Sequence, residues 1–402
     1  MRILISGASI AGPVLAYWLA RGGFDVTVVE RAPALRKTGG HAVDLFRPSM
    51  EISARMGVLP HIESLATGTD RLTLYREGRS RPARVDLTKI VGAASDRHVE
   101  IMRDDLSEVY YDAGREHIEY VFGDSITAIA PDGEVTFEHA ATRRFDVIVG
   151  ADGMHSNVRR LVFGDEAGLT RFIGGYLAVV SVPKSLAPEG EMIIHAGVGR
   201  MAGIYTAQHL DDARALFMFR SKTELDYHYR DTVRQKELLR DALAGLAAQA
   251  DHWLAEVDHA PTFYFDSISQ LSLDIWSRGR ATLVGDAGYC PGPAVGGSTS
   301  LAVIGAYVLA GELIAARGDH LRAFAAYQQE MAEKVSGSRV FARGAAKTLL
   351  PGSSAGVWAV TRGAQLVSSL PALFTRAVAR LNTKGVRMHD SMAVPDYPDV
   401  SI

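Results

Sequence analysis

Three apolar runs, each closing on a glycine corner beside an acidic residue, constrain this 402-residue chain more than anything else in it. The first, Arg2-Ile-Leu-Ile-Ser-Gly7, is followed by Pro13 to Arg21 at helical spacing and by the β-branched run Val26 to Val29, which ends at Glu30. That order reads as strand, helix, parallel strand. Pro13 suits the helix's first turn, where a missing N–H costs nothing, and Gly22-Gly23 ends the helix. Two later runs of the same form, Asp146-Val-Ile-Val-Gly150 and Ala281-Thr-Leu-Val-Gly285, are followed within two residues by Asp152 and Asp286. Continuous apolar runs of this kind belong to strands covered on both faces, so the distant corners are expected to converge along one sheet edge.

Gly7-Ala-Ser9-Ile-Ala-Gly12 is a variant of the dinucleotide fingerprint in which serine replaces the middle glycine. A tight turn at Gly7 lets a pyrophosphate reach the helix N-terminus, whose free N–H groups and dipole favour negative charge. Ser9 is the smallest replacement that adds a donor for a phosphate oxygen. Glu30 stands at about the 20-residue separation of a ribose-binding acid. Arg31, beside it, either covers an adenine or is a solvated surface arginine.

The second motif continues from Gly150 as Ala-Asp152-Gly-Met-His-Ser156-Asn-Val158-Arg159. The third continues from Gly285 as Asp286-Ala and then Pro291-Gly-Pro293-Ala-Val-Gly296-Gly297-Ser298-Thr-Ser300. With Gly7 to Glu30, they resemble the three motifs of class A flavoprotein monooxygenases, the group that includes para-hydroxybenzoate hydroxylase, aromatic polyketide hydroxylases and tetracycline destructases. The resemblance runs from the first strand to about Leu313. Further matches lie at Gly39-Gly40-His-Ala-Val-Asp44-Leu and Arg103-Asp-Asp-Leu106.

The resemblance implies one FAD. Asp286 would hold a ribityl hydroxyl, Arg103 would stand near the ribityl and phosphate, and Asp152 and Arg159 would serve FAD and pyridine nucleotide together. The Pro293 to Ser298 loop, with Gly296 and Gly297, would bring backbone N–H groups to the flavin edge that becomes negative on reduction. Ser298 and Ser300 depart from the family's glycine and asparagine there. Arg47 is a candidate for the nicotinamide phosphate, for the flavin edge, or for plain surface charge.

The resemblance further implies that NAD(P)H reduces the flavin, that oxygen adds at C4a, and that the resulting hydroperoxide hydroxylates an aromatic or polycyclic molecule. No side-chain base and no metal are called for. A polyketide or antibiotic-like substrate, tetracycline included, with a role in antibiotic resistance, is the expectation for the C-terminal segment and the Gly39 to Leu45 loop. A flavin-dependent reductase on the same fold, or a flavoprotein that only sequesters a ligand, stays open. The Trp-x-Trp-x-Ile-Pro signature of flavin halogenases is absent, since Trp18, Trp253, Trp276 and Trp358 are isolated.

Between the second and third corners, Leu177 to Val182, Met192 to Ala196 and Ala215 to Arg220 read as strands of a more antiparallel sheet. The expected architecture is α/β: a Rossmann-like FAD-binding domain (1–72, 98–175 and 277–340), an inserted mainly antiparallel substrate domain (73–97 and 176–276), and a C-terminal helical segment and tail (341–402). His195, Arg214, Phe217, Phe219, Phe263 and Tyr264 are the substrate candidates on those inserted strands. Thr299 to Leu313, apolar nearly all round, is expected as a buried helix. The tail after Asn382 is expected as a loosely attached strap.

A net charge of -3 gives no electrostatic reason to bind nucleic acid. Cys290 is the only cysteine, so neither an internal disulfide nor a thiolate metal cluster can form, which favours a reducing cytosol and a cytoplasmic location. Glycines at 7 and 12 interrupt the N-terminal apolar run, which is therefore expected as a first strand rather than a secretory leader. Stable membrane insertion is not expected, and the chain is expected as a monomer or weak dimer. The segment Gly344 to Leu381, apolar with Arg362, Arg376 and Arg380 along it, either lies on a membrane surface or packs on its own protein.

Overall fold

A computed structural model describes residues 1–35, 39–89, 97–164, 168–228, 230–293, 297–369 and 388–397. The three corner-forming runs are neighbours in a six-stranded sheet ordered Ser277–Arg278, Ala281–Leu283, Val147–Gly150, Arg2–Ser6, Asp25–Glu30, Glu119–Phe122. All its pairs are parallel except the first hairpin. Ser6 pairs with Gly150 on one side and Val29 on the other, and Gly150 pairs with Leu283. Gly7, Glu30, Ala151 and Gly285 therefore follow strands that end level, at the carboxyl edge where open α/β sheets bind nucleotides.

Helix Ala11–Arg21 lies on this sheet, stopped at Gly22, and packs against helix Ser298–Ala315. The latter buries all but a few of its residues. It is also the one helix among the described residues long and apolar enough to cross a membrane. Its burial on every side accounts for that composition without a bilayer.

The inserted region forms a seven-stranded sheet in the order Phe263–Leu271, Thr170–Pro183, Asp212–Arg220, Arg200–Tyr205, Glu191–Gly197, Arg71–Arg76, Ala83–Asp86. Its neighbours are antiparallel except Glu191–Gly197 with Arg71–Arg76. Alternation divides its side chains between two cores. Tyr176, Ala178, Ala215, Phe217 and Phe219 pack beneath helices Thr232–Leu243 and Ala248–Ala255. Leu177, Val179, Met218 and Ile268 face the other way, onto Ala342, Ala346 and Leu350 at the end of helix His320–Leu349. A two-stranded ribbon, Ala42–Phe46 with His98–Met102, joins the two bodies.

The C-terminal segment differs from its expected form. Helix His320–Leu349 runs through the expected boundary at 340, then breaks at Pro351-Gly352, and a separate helix spans Ser354–Ser369. Proline removes an N–H and disfavours helix in the residue before it, which ends the first of these helices ahead of Pro351. Residues 370–387 lie outside the described residues.

The tail is not loosely attached over Met388–Tyr397. His389 is buried and stacks on Phe46 with centroids 5.5 Å apart. Tyr397 seats its ring on Gly311 and donates to Glu312 Oε1 at 2.7 Å.

Candidate active site

At the first corner, Gly7 has φ +109° and a Cβ there would stand 2.5 Å from Ala151 O. A Cβ on Gly12 would stand 1.9 Å from Gly7 O. The outer glycines of the motif are thus required by backbone packing of turn on helix and of one corner on the next. The N-terminus of helix Ala11–Arg21 has no side-chain cap and no acid in its first turn. A buried helix end without a cap calls for an external acceptor, which a pyrophosphate supplies.

Ser9 does not point to that end alone. Its Oγ accepts from Arg103 Nη2 at 3.1 Å, and its carbonyl accepts from Ser107 Oγ at 3.1 Å. The serine that replaces glycine therefore ties the fingerprint turn to the start of helix Arg103–Asp112. Glu30 is pinned by two backbone donors, Ala8 N to Oε2 and Ala32 N to Oε1, both at 2.9 Å. Arg31 is exposed beside it.

At the second corner the Asp152 carboxylate accepts from Asn157 N at 2.9 Å, Val158 N at 3.1 Å, Ser6 Oγ at 3.3 Å and Ser156 Oγ. It caps helix Asn157–Phe163 and links that helix to the first strand. Burial raises its pKa against the opposing pull of those donors. Arg159 is 0% exposed, with its guanidinium donating to Ala287 O at 2.8 Å and to Met154 O. It bolts the second corner to the third, and the expected contact of Arg159 with the pyridine nucleotide is corrected by that burial.

Gly285, at φ +66°, precedes Asp286, whose carboxyl is raised by burial while the Arg103 charge and the Cys290 thiol pull the other way. Burial and the Asp286 charge push the Cys290 thiol well up, so it is no nucleophile at neutral pH. Arg103 consequently stands between the first corner, through Ser9, and the third, through its field on Asp286. Tyr264 OH donates to Asp266 Oδ2 at 3.2 Å, and His155 Nε2 lies 3.5 Å from the same oxygen.

Pro293 begins the loop toward the core helix, and Gly296 lies outside the described residues. Gly297, left-handed at φ +87°, and Ser298 start helix Ser298–Ala315, which again has no side-chain cap. Ser300, in place of the family's asparagine, is buried; its Oγ accepts from Phe46 N at 3.1 Å and donates to Asp44 O at 3.4 Å. That departure clamps the two-stranded ribbon to the core helix. Two buried, uncapped helix ends, a pinned acid and a buried acid beside an arginine form a donor and acceptor set that fits the pyrophosphate, ribose and ribityl portions of FAD.

The substrate candidates separate by strand parity. Arg214 and Tyr264 point to the face that looks toward the ribbon and corners. Arg214 donates from Nε to Gly40 O at 3.1 Å and pairs with Asp212 at 2.5 Å. His195, Phe217, Phe219 and Phe263 point to the opposite, helix-covered face, which corrects their expected contact with substrate. His195 stacks on Tyr75 with centroids 4.9 Å apart and hydrogen-bonds Gln249, while Phe217 and Phe219 are core. Arg47 shares its guanidinium between Glu51 Oε1 at 2.9 Å and Asp390 O in the tail.

Sequence reasoning missed the groups around the ribbon. Burial lowers His41 to about 4, with Arg103 adding to the shift. Asp104 accepts from Gly40 N at 2.7 Å, and Tyr205 OH accepts from Ala42 N at 2.8 Å. Asp44 and His98 pair at 2.5 Å. Asp44 lay inside a quoted match, while Tyr205 and His98 gave no signal because their partners are distant in sequence.

A model of the FAD binding domain family matches residues 1–336. A flavin-dependent monooxygenase of Legionella longbeachae is 32% identical over 85% of this chain and 87% of its own. The chain belongs to the FAD-dependent monooxygenase family. This enzyme is also 43% identical, over 82% of its length and 89% of the other's, to an uncharacterized protein of Mycobacterium tuberculosis. The crystal structure of tetracycline destructase Tet(55) superposes with a TM-score of 0.83 at 30% identity, covering 98% of each chain. Klebsiella pneumoniae HpxO, crystallised with FAD and uric acid, shares the fold at a TM-score of 0.74 and 20% identity over 96% of this chain and 97% of that one.

Proposed function

We propose that this monooxygenase uses NAD(P)H and O2 to hydroxylate an aromatic or polycyclic substrate of the polyketide or tetracycline type. The observation that carries the proposal is the placement of Arg103 between the fingerprint turn and buried Asp286, opposite the sheet face that bears Tyr264 and Arg214. Likeness to Tet(55) over 98% of the chain supports a polycyclic substrate.

When bound, FAD supplies the redox chemistry, taking electrons from a nicotinamide and activating oxygen. The Ala11–Arg21 helix end and Ser9 would hold its pyrophosphate, Glu30 its ribose, and Asp286 with Arg103 its ribityl chain. The chain's own part is orientation and exclusion of water. Leu177, Val179 and Met218, packed on Ala342, Ala346 and Leu350, hold the inserted sheet rigid, and Arg214 and Tyr264 fix polar atoms on the same face. No side chain is required to move a proton.

The purified protein should be yellow, and a screen of polycyclic phenols and enols should find compounds that stimulate NADPH oxidation and gain one oxygen in mass. Substrate-stimulated turnover giving a reduced product without added oxygen would establish the reductase alternative. Tetracycline recovered intact after incubation with enzyme, NADPH and air would eliminate that substrate.

A further inference from the structure

The helix Ser354–Ser369 packs over the outer edge of the inserted sheet, on strands Arg71–Arg76 and Ala83–Asp86, and its Ser368 Oγ accepts from Asp86 N at 2.8 Å. Val357, Thr361 and Ser368 form its buried stripe. The opposite side is unusual for a solvent-facing helix. Trp358 is 53% exposed and Leu366 63%, with Arg362 between them at i+4 spacing, so the three lie on one stripe about 12 Å long. Arg362 is the helix's only charged residue.

Charge singles out one partner for this face. Helix Ser354–Ser369 carries Arg362 and no Asp or Glu, in a chain whose net charge is -3. The turn joining the two edge strands under the helix adds Arg79 and Arg81, exposed and without a carboxylate partner among the described residues. Exposed tryptophan and leucine stand beside Arg362, Arg79 and Arg81, while the nearby acids Glu77 and Asp86 are each paired with a cation, Arg200 and Lys89, and this combination matches the interfacial region of an anionic bilayer: apolar side chains enter the acyl boundary and the cations meet lipid phosphates. The indole ring is suited to that boundary, with an apolar body and one N–H.

We infer that the face of Trp358, Arg362 and Leu366 docks the enzyme peripherally on an anionic lipid surface. The contact is interfacial and reversible, since the stripe is too short to span and its cations must stay at headgroup level. If the proposed hydroxylase reading holds, docking lets an apolar polycyclic substrate pass from lipid to enzyme without crossing water. The docking itself does not depend on that reading.

The test uses the full-length holoprotein with vesicles of phosphatidylcholine, with and without phosphatidylglycerol. Trp18, Trp253 and Trp276 are buried, so a change in tryptophan emission reports Trp358. Expected are a blue shift and co-sedimentation with phosphatidylglycerol vesicles only, both weakened roughly tenfold or more in high salt; the double substitution Trp358→Ser and Leu366→Ser removes the reporter, and is read by co-sedimentation alone, which it should weaken by a similar factor. Unchanged bound flavin certifies that the variant is folded. The inference is overturned by no association with anionic vesicles at low salt, by equal association of the variant, or by a stable dimer that Trp358→Ser dissociates. Vesicle binding is read without turnover, so its failure is distinct from failure of the hydroxylation assay.

Discussion

Replacing Gly12 by alanine sets two effects of opposite sign against each other. Gly12 lies in the first turn of helix Ala11–Arg21, where alanine ordinarily stabilises a helix by about 0.5–1 kcal/mol. The new Cβ, however, would stand 1.9 Å from Gly7 O, some 1.5 Å inside ordinary contact, and the obstacle is backbone. Relieving the overlap moves the turn and strains Gly7 N to Val29 O at 2.8 Å and Ala8 N to Glu30 Oε2 at 2.9 Å. Overpacking costs about 1–3 kcal/mol and each weakened hydrogen bond about 1 kcal/mol, so the clash wins and the net loss is about 3 kcal/mol.

Gly363→Ala is the matched control. It sits in the interior of helix Ser354–Ser369 with nothing within 4 Å of the added Cβ, and should gain about 0.5–1 kcal/mol. Thermal melts of both variants, followed by circular dichroism and paired with FAD titration by flavin fluorescence, separate the two. Gly12→Ala should melt several degrees lower and bind FAD more than about tenfold more weakly, while Gly363→Ala should melt slightly higher with unchanged affinity. A Gly12→Ala protein as stable as its parent and fully loaded with FAD would refute the argument that the turn packs backbone on backbone.

Asp286→Ala removes the buried acceptor at the third corner, and a charged hydrogen bond of about 1.5–3 kcal/mol predicts FAD affinity lower by roughly ten- to a hundredfold, read by fluorescence titration. Gly297→Ala would drive its Cβ to 1.9 Å from His389 Nε2, whose ring is held by Phe46, Phe341 and Ser338. Because His389→Ala removes the obstacle, thermal melts of the two singles and the double should show the double less destabilised than their sum, and additivity would show the tail unseated.

Glu100 is raised to about 6, first by burial and then by Asp44, while Thr67 and His98 oppose. For His98, burial lowers the pKa but is outweighed by Asp44, Glu100 and Asp390, for a net rise. Both folded values exceed the unfolded ones, so this cluster's contribution is complete at low pH and is lost as pH rises, from about 4.5 to 6 for Glu100 and from about 6.5 upward for His98. A Glu100→Gln protein should lose the first of these slopes in its melting profile and be the more stable at pH 8 by about 1–2 kcal/mol. An identical pH profile in the variant would show that Glu100 does not titrate there.

Where a feature rests on residues close in sequence, it was legible before any coordinates. Helix Ala11–Arg21, its proline and its glycine stop follow from local spacing, as does the burial of Ser298–Ala315 from apolarity all round. The inserted strands were legible too, but not their faces. Alternation says only that Leu216 and Phe217 point oppositely; whether odd or even looks toward the corners depends on where helices Thr232–Leu243 and Ala248–Ala255 dock. Arg159 shows the same limit, since nothing local announces that its guanidinium will be closed over by Ala287 and Met154.

By itself, then, the order of residues determined three parallel strands with glycine corners and the polar groups those corners would present, because backbone conformation and strand burial are set within a few residues. Only the tertiary structure decided which side chains share a sheet face, that Ser300 clamps the ribbon, and that His389 and Asp390 return to Gly297 and Arg47. Those contacts join residues up to hundreds of positions apart, and they exist only once the two sheets and the tail are packed together.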